Sequence, residues 1–152
     1  MRRMAVVLVI ALMAPSLAGA DDKTPRADLE ALRGTWVVVE SEANGKKLAK
    51  DELTWRWKFM AEGKAILTDR KMDKESRYTY TIDASKEPRA IDIVYQGPEP
   101  ALKDAKQFGI YKIEDNKLTI CFNLPGVKER PKRFATQAGS GFLMRLERTK
   151  NE

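Results

Sequence analysis

The chain has 152 residues, and its 28 lysines and arginines against 22 acidic residues give a formal net charge of +6. It contains no histidine and a single cysteine, which excludes the commonest general base, the commonest zinc ligand and an internal disulfide. The charge is spread along the chain, whereas a nucleic-acid-binding protein concentrates basic residues on one face. We therefore expect a protein that is not an enzyme, binds no nucleic acid and needs no cofactor or metal ion.

Residues 1–20 have the pattern of a secretory signal peptide. A start with two arginines precedes the apolar run 5–13, and small residues at 18–20 provide a cleavage site. The apolar run is too short to span a bilayer comfortably, and no later stretch is long and apolar enough, so we expect no membrane span. The sequence thus predicts export to the periplasm or the extracellular space and one domain over residues 21–152.

A short helix is predicted at the start of this domain. Pro25 follows the N-cap residue Thr24 as the first helical residue, and Gly34 lies just past the helix end. Leu29 and Leu32 form one apolar stripe. Such a helix would act as a lid over one end of a barrel.

After the helix, the hydrophobic pattern changes to a period of two, which is typical of β-strands. We expect Trp36, Val38 and Glu40 on one face of the first strand and a hairpin turn at Asn44-Gly45. Further strands are predicted at 53–60, 64–69, 77–83, 88–95, 108–113, 117–122 and 142–148, with longer loops at 96–106 and 124–141.

These elements predict an all-β fold, an antiparallel up-and-down barrel of about eight strands with a short N-terminal helix. The pair Gly34 and Trp36, with the basic residue Arg148 on the last strand, resembles the lipocalin arrangement in which an arginine packs across a tryptophan at the closed end. Such a cation–π contact is worth about 0.5–2 kcal/mol. We expect these three residues to close the barrel and to take no part in chemistry.

Short stretches spread over most of the domain carry a second resemblance. They are 28–36, 88–92, 109–113, 117–121, 129–131, Phe134 and 139–141. In this order they resemble the small secreted lipocalin-like domain of unknown function that is expanded in planctomycete bacteria. The resemblance implies a fold and an exported location. It implies no activity, because that family has no established catalytic residues.

Aromatic residues on two predicted strands are the candidate ligand-binding residues. Trp55, Trp57 and Phe59 share one face, and Tyr78 and Tyr80 share another. An eight-stranded barrel is either filled by its own side chains or holds one small ligand, so a pocket and a packed core both stay open. A cavity of about 300 Å³ or more, lined by these residues, would favour a pocket.

Three functional hypotheses follow, of which an enzyme is the least favoured because histidine and catalytic motifs are absent. The first is a secreted binding protein that holds a small apolar or amphipathic molecule in the barrel. The alternative is a cell-envelope interaction or inhibitor module with a filled barrel, whose loops 96–106 and 124–141 bind another protein or a glycan. A basic cluster in the second loop would suit an anionic ligand or glycan, but a charged run on a loop is more often simply solvated. Its members are Lys128, Arg130, Lys132 and Arg133.

The orientation of two further residues stays open. Cys121 faces outward, at a position that the helix could cover, if the alternating Leu118, Ile120 and Phe122 face the barrel interior, and it faces the interior if they do not. Asp92 points away from its apolar neighbours, either as a buried acceptor for an arginine or as a polar residue on a solvated face. Neither residue shows a pattern that predicts reactivity.

Overall fold

The computed structural model describes residues 25–150, so the predicted signal peptide lies outside the described part of the chain. One α-helix, α1 (Pro25–Leu32), precedes the strands, close to its predicted bounds. Within residues 25–150 no helix is long and apolar enough to cross a membrane. Single turns of 3₁₀ helix lie at Lys50–Glu52, Ala61–Gly63 and Pro100–Leu102.

Nine strands in the described residues form one antiparallel sheet. They are β1 (Gly34–Ala43), β2 (Lys46–Lys47), β3 (Trp55–Phe59), β4 (Lys64–Asp69), β5 (Lys74–Asp83), β6 (Ala90–Tyr95), β7 (Lys106–Glu114), β8 (Lys117–Phe122) and β9 (Phe142–Arg148). Strands β1 and β3 to β9 pair in chain order, and β9 pairs back to β1, which closes an eight-stranded barrel. The short β2 pairs only with β1, through the predicted turn at Asn44-Gly45. The predicted all-β barrel is confirmed.

Strand β1 contains a bulge that changes which side chains face the interior. Its register against β9 shifts between Val38 and Glu40. Beyond the bulge, Ser41 is 2% exposed and faces inward, while Val39 is 44% exposed. The predicted alternation of Trp36, Val38 and Glu40 is therefore wrong at Glu40, because the extra residue of a bulge shifts the two-residue period.

The barrel interior is a continuous apolar core. It is built from inward-facing residues of every long strand and from Leu32 of α1, and burying each large side chain contributes about 1.5–3 kcal/mol. The buried members are Leu32, Trp36, Val38, Trp57, Phe59, Ala65, Tyr80, Ile91, Ile93, Tyr111, Leu118, Ile120, Phe122, Met144 and Leu146.

Helix α1 covers one end of the barrel and is fastened there by a buried polar network. Asp28, 7% exposed, accepts hydrogen bonds from Arg89 Nη1 at 3.0 Å and from the Tyr111 hydroxyl at 2.5 Å. The indole N–H of Trp36 donates to the Leu32 carbonyl at 2.8 Å. This end of the barrel is therefore closed by the helix.

The irregular segment 124–141 lies against the outside of the barrel. Arg130 Nη1 donates to Asp92 Oδ1 at 2.6 Å, and Thr136 Oγ1 donates to Glu42 Oε1 at 2.5 Å. Phe134 packs on a small outer cluster that contains Cys121. Cys121 thus faces outward under this segment and not under α1, and Asp92 is the acceptor for an arginine.

Candidate functional site

The end of the barrel opposite α1 holds a cavity. Strands β3, β5, β7 and β9 begin at this end, while β1, β4, β6 and β8 finish there. The cavity has a volume of about 220 Å³, which is below the 300 Å³ expected for a ligand pocket. Its lining consists of Ser41, Trp55, Trp57, Leu67, Tyr78, Ile93, Gln107, Phe122, Phe142 and Met144. Phe142 is 38% exposed and lies at the mouth.

Three of the five predicted ligand-binding residues line this cavity, namely Trp55, Trp57 and Tyr78. The other two, Phe59 and Tyr80, lie one layer closer to α1 and contact each other edge to face at 5.2 Å. The Trp57 ring connects the two layers, stacking on Phe59 at 5.5 Å and contacting Tyr78 at 5.3 Å. Phe59 and Tyr80 therefore belong to the packed core below the cavity.

Tyr80 also lines a second, open cleft beside α1. This cleft measures about 360 Å³ and includes Leu29, Arg33 and Met60. The Tyr80 hydroxyl donates to the Met60 carbonyl at 3.1 Å, so its polar atom already has a partner. Among residues 25–150, Tyr80 is the one aromatic residue of its lining, so the cleft lacks the stacked aromatic wall of the first cavity.

Sequence reasoning missed most of the aliphatic and polar lining. Phe142 and Met144 share one face of the last predicted strand, but the alternation alone does not indicate a cavity. The inward position of Ser41 could not be predicted, because the bulge in β1 shifts the alternation. Gln107 was missed because β7 begins at Lys106, earlier than predicted.

Most polar groups of the lining are bound by the protein itself. Trp55 Nε1 donates to Asp69 Oδ2 at 3.2 Å, Ser41 Oγ donates to the Leu143 carbonyl at 3.2 Å, and Gln107 Nε2 donates to the Asn123 carbonyl at 3.0 Å. Trp57 differs, because its buried indole N–H has no hydrogen-bond acceptor among residues 25–150. The wall of the cavity is therefore largely apolar, and the indole N–H of Trp57 is a buried donor without an acceptor in the described part of the chain.

Asp69 holds the Trp55 side of the cavity in place. Its Oδ1 accepts hydrogen bonds from the Thr54 hydroxyl at 2.8 Å and from the Lys71 backbone N–H at 2.9 Å. The hydrogen bond from Thr54, followed by those from the backbone of Lys71 and Met72, lowers the pKa of Asp69. Asp69 is therefore a charged acceptor that orients the Trp55 ring.

Tyr78 is the titratable side chain of the lining. Burial, with a smaller contribution from neighbouring Tyr95 and Glu99, raises the pKa of its hydroxyl above the usual value. Within the described part of the chain, no group of three or more histidine, cysteine or acidic side chains could hold a metal ion. The described lining of the cavity contains no acidic or basic side chain.

The predicted closure residues meet at the opposite end, beneath α1. Arg148 Cζ lies 4.2 Å from the centroid of the Trp36 ring, and its guanidinium donates to the carbonyls of Ala31 and Arg33. Gly34 has φ +118°, and a Cβ there would lie 2.7 Å from Arg148 Nη1. A glycine is thus required where the guanidinium crosses the chain.

Comparisons with known proteins add no relative. No family model matches the chain, and neither a curated protein nor a solved structure matches it significantly. The class that the structure defines is the closed, eight-stranded antiparallel β-barrel with one short helix.

Proposed function

We propose that this protein binds one small apolar or amphipathic molecule in the open end of its barrel and catalyses no reaction. The observation that carries the proposal is the cavity of about 220 Å³ lined by Trp55, Trp57 and Tyr78. A barrel filled by its own side chains would leave no such space. The aromatic walls offer flat faces against which a ring or a short acyl chain packs.

The cavity volume defines the size of the ligand. Pockets for drug-sized molecules measure about 300–1,000 Å³. An apolar cavity of about 150 Å³ nevertheless takes up benzene. A molecule with one or two rings fits inside, and a longer amphipathic molecule would leave its polar part at the mouth beside Phe142.

The described residues of the cavity lining include no acidic, basic or cysteine side chain, which supports a role without catalysis. Hydrogen bonds from neighbouring side chains lower the pKa values of Glu40, Glu42, Asp69 and Asp83. A general acid at neutral pH needs the opposite shift. We also propose the exported location and membership of the planctomycete lipocalin-like family, both supported by the sequence pattern.

The interaction-module alternative has less support. It calls for an exposed apolar patch on the loops 96–106 and 124–141. Among the described residues of these loops, the one large apolar side chain with high exposure is Val127, at 38%. Arg130 of the basic cluster is already bound to Asp92. Binding in the cavity is therefore the function that the geometry favours.

The proposal is tested by filling the cavity. Leu67 and Ile66 are neighbours on β4, and alternation places Leu67 at the cavity and Ile66 on the outer face. We expect naphthalene, titrated by isothermal calorimetry, to bind the wild-type chain and Ile66→Trp with similar affinity. Leu67→Trp should abolish binding, because its larger ring occupies the space.

Two outcomes would contradict the proposal. The first is an absence of heat with the wild-type chain for naphthalene and for quinoline, a ring system of the same shape. The second is equal binding by Leu67→Trp and wild type, provided that thermal unfolding shows both to be folded. In that case naphthalene binds elsewhere, and the open cleft beside α1 becomes the next site to examine.

A further inference from the structure

We propose that the natural ligand carries a hydrogen-bond acceptor and that this acceptor binds the indole N–H of Trp57. This inference rests on the proposed function and deepens it, because it defines the chemistry of the ligand. The ligand is then an apolar ring or chain with one acceptor, such as a carbonyl oxygen, an ether oxygen or a ring nitrogen.

The first argument is the state of Trp57 itself. Its side chain is 2% exposed, and its Nε1 atom has no acceptor within residues 25–150. Buried polar groups in folded proteins nearly always have a partner, and an unpaired one is costly. A ligand acceptor would remove this cost, so ligands with an acceptor are favoured over purely apolar ones of the same shape.

The second argument is the contrast with Trp55, which lines the same cavity. The Trp55 N–H already donates to Asp69 at 3.2 Å. Ser41 likewise donates to the Leu143 carbonyl. The Tyr78 hydroxyl belongs to a partly exposed side chain, so water can reach it. Trp57 is thus the lining residue whose donor is both buried and unpaired.

The indole N–H of Trp57 is covered by neighbouring atoms of the protein. Because Nε1 is covered, an acceptor reaches it when a neighbouring side chain shifts. Tyr78 is the suitable neighbour, since its ring lies 5.3 Å from that of Trp57 with a 45° tilt and is only partly buried.

Two probes of equal shape test the inference. Naphthalene has no acceptor, and quinoline has one ring nitrogen in the same skeleton. Their affinities are measured by calorimetry for the wild-type chain, for Trp57→Phe and for the matched control Trp55→Phe. Both variants replace an indole of the cavity lining by a smaller phenyl ring, but only Trp57→Phe removes the unpaired donor.

We expect the preference for quinoline, expressed as the ratio of the two affinities, to fall about 3–10-fold in Trp57→Phe. That change corresponds to about 0.7–1.4 kcal/mol, the size of one net hydrogen bond. In Trp55→Phe the ratio should stay within about twofold of wild type, because the Trp55 N–H already has a protein acceptor.

A second measurement is NMR spectroscopy, and its main comparison uses the wild-type chain alone. The chain has three tryptophans, so its ¹⁵N-labelled form gives three indole N–H signals that the Phe variants assign. Quinoline should move the Trp57 N–H proton downfield, and naphthalene should not.

Equal ratios in all three proteins, or the same proton shift with both probes, would overturn the inference while the binding function stands. If neither probe binds the wild-type chain, the binding function itself fails, and the inference fails with it.

Discussion

Replacing Arg148 by methionine should destabilise the protein without affecting the cavity. Arg148 contacts the Trp36 ring at 4.2 Å and donates hydrogen bonds to the carbonyls of Ala31 and Arg33. The cation–π contact contributes about 0.5–2 kcal/mol. Each hydrogen bond adds about 0.5–1.5 kcal/mol, and the lower value applies because this end is partly solvated.

The expected loss for Arg148→Met is therefore about 1.5–3 kcal/mol, the sum of these contributions. For a domain of this size, each kcal/mol lowers the melting temperature by about 4 °C. Thermal and urea unfolding followed by tryptophan fluorescence measure the change. The affinity for naphthalene should remain within about twofold of wild type, because the cavity lies at the opposite end of the barrel.

The matched control is Arg145→Met on the same strand. Arg145 is 47% exposed and forms a surface ion pair with Glu40, a type of contact worth about 0–1 kcal/mol. Gly34→Ala completes a double-mutant cycle, because its Cβ would displace the Arg148 guanidinium. The double variant should lose less stability than the two single losses added. Equal losses for Arg148→Met and Arg145→Met would refute the assignment of barrel closure.

Other predictions concern groups away from this contact. Tyr111→Phe should cost about 1–3 kcal/mol in urea unfolding, because it removes the hydrogen bond to buried Asp28. Burial and the Asp28 carboxylate raise the pKa of Tyr111, so its contribution is complete below about pH 10, and alkaline titration should show it being lost as the pH rises. Naphthalene binding should stay constant from about pH 5 to pH 9, because burial raises the pKa of Tyr78 and hydrogen bonds lower that of Asp69. A steep change of affinity near pH 7 would contradict this. Burial raises the pKa of Cys121, so Ellman's reagent should modify the folded chain far more slowly than the unfolded chain; equal rates would show the thiol to be uncovered.

Hydrophobic alternation together with turn residues predicted the strands and their faces. Strand β4 begins directly after Glu62-Gly63 and β8 directly after Asp115-Asn116, because residues with the positive φ that turns need lie there. Strand β5 begins earlier than predicted, at Lys74, since its polar residues pair with β4 without any hydrophobic signal.

The height of a residue along the barrel could not be predicted. Alternation placed Trp57 and Phe59 on one inward face, but it carries no information on which layer of the core contains a space. The cavity depends on how side chains of all the strands fill each layer. The sequence therefore identified three of the lining residues and also two, Phe59 and Tyr80, that belong to the packed layer.

Contacts between distant segments also escaped prediction. Asp28 and Tyr111 are 83 positions apart, and their hydrogen bond depends on the barrel being closed. The sequence left open that Asp92 accepts a hydrogen bond from an arginine, but it did not indicate that Arg130, 38 positions away, is the donor. Such pairs have no local sequence signal, because neither residue is unusual among its neighbours.

The central claim is that the open end of the barrel holds a small molecule. Native mass spectrometry on the chain, purified gently from its own source, tests this claim most directly. We expect an excess mass from a bound molecule, which denaturation releases and which the Leu67→Trp variant lacks. A bare chain mass, with no change in tryptophan fluorescence over a panel of lipids and aromatic metabolites, would contradict it.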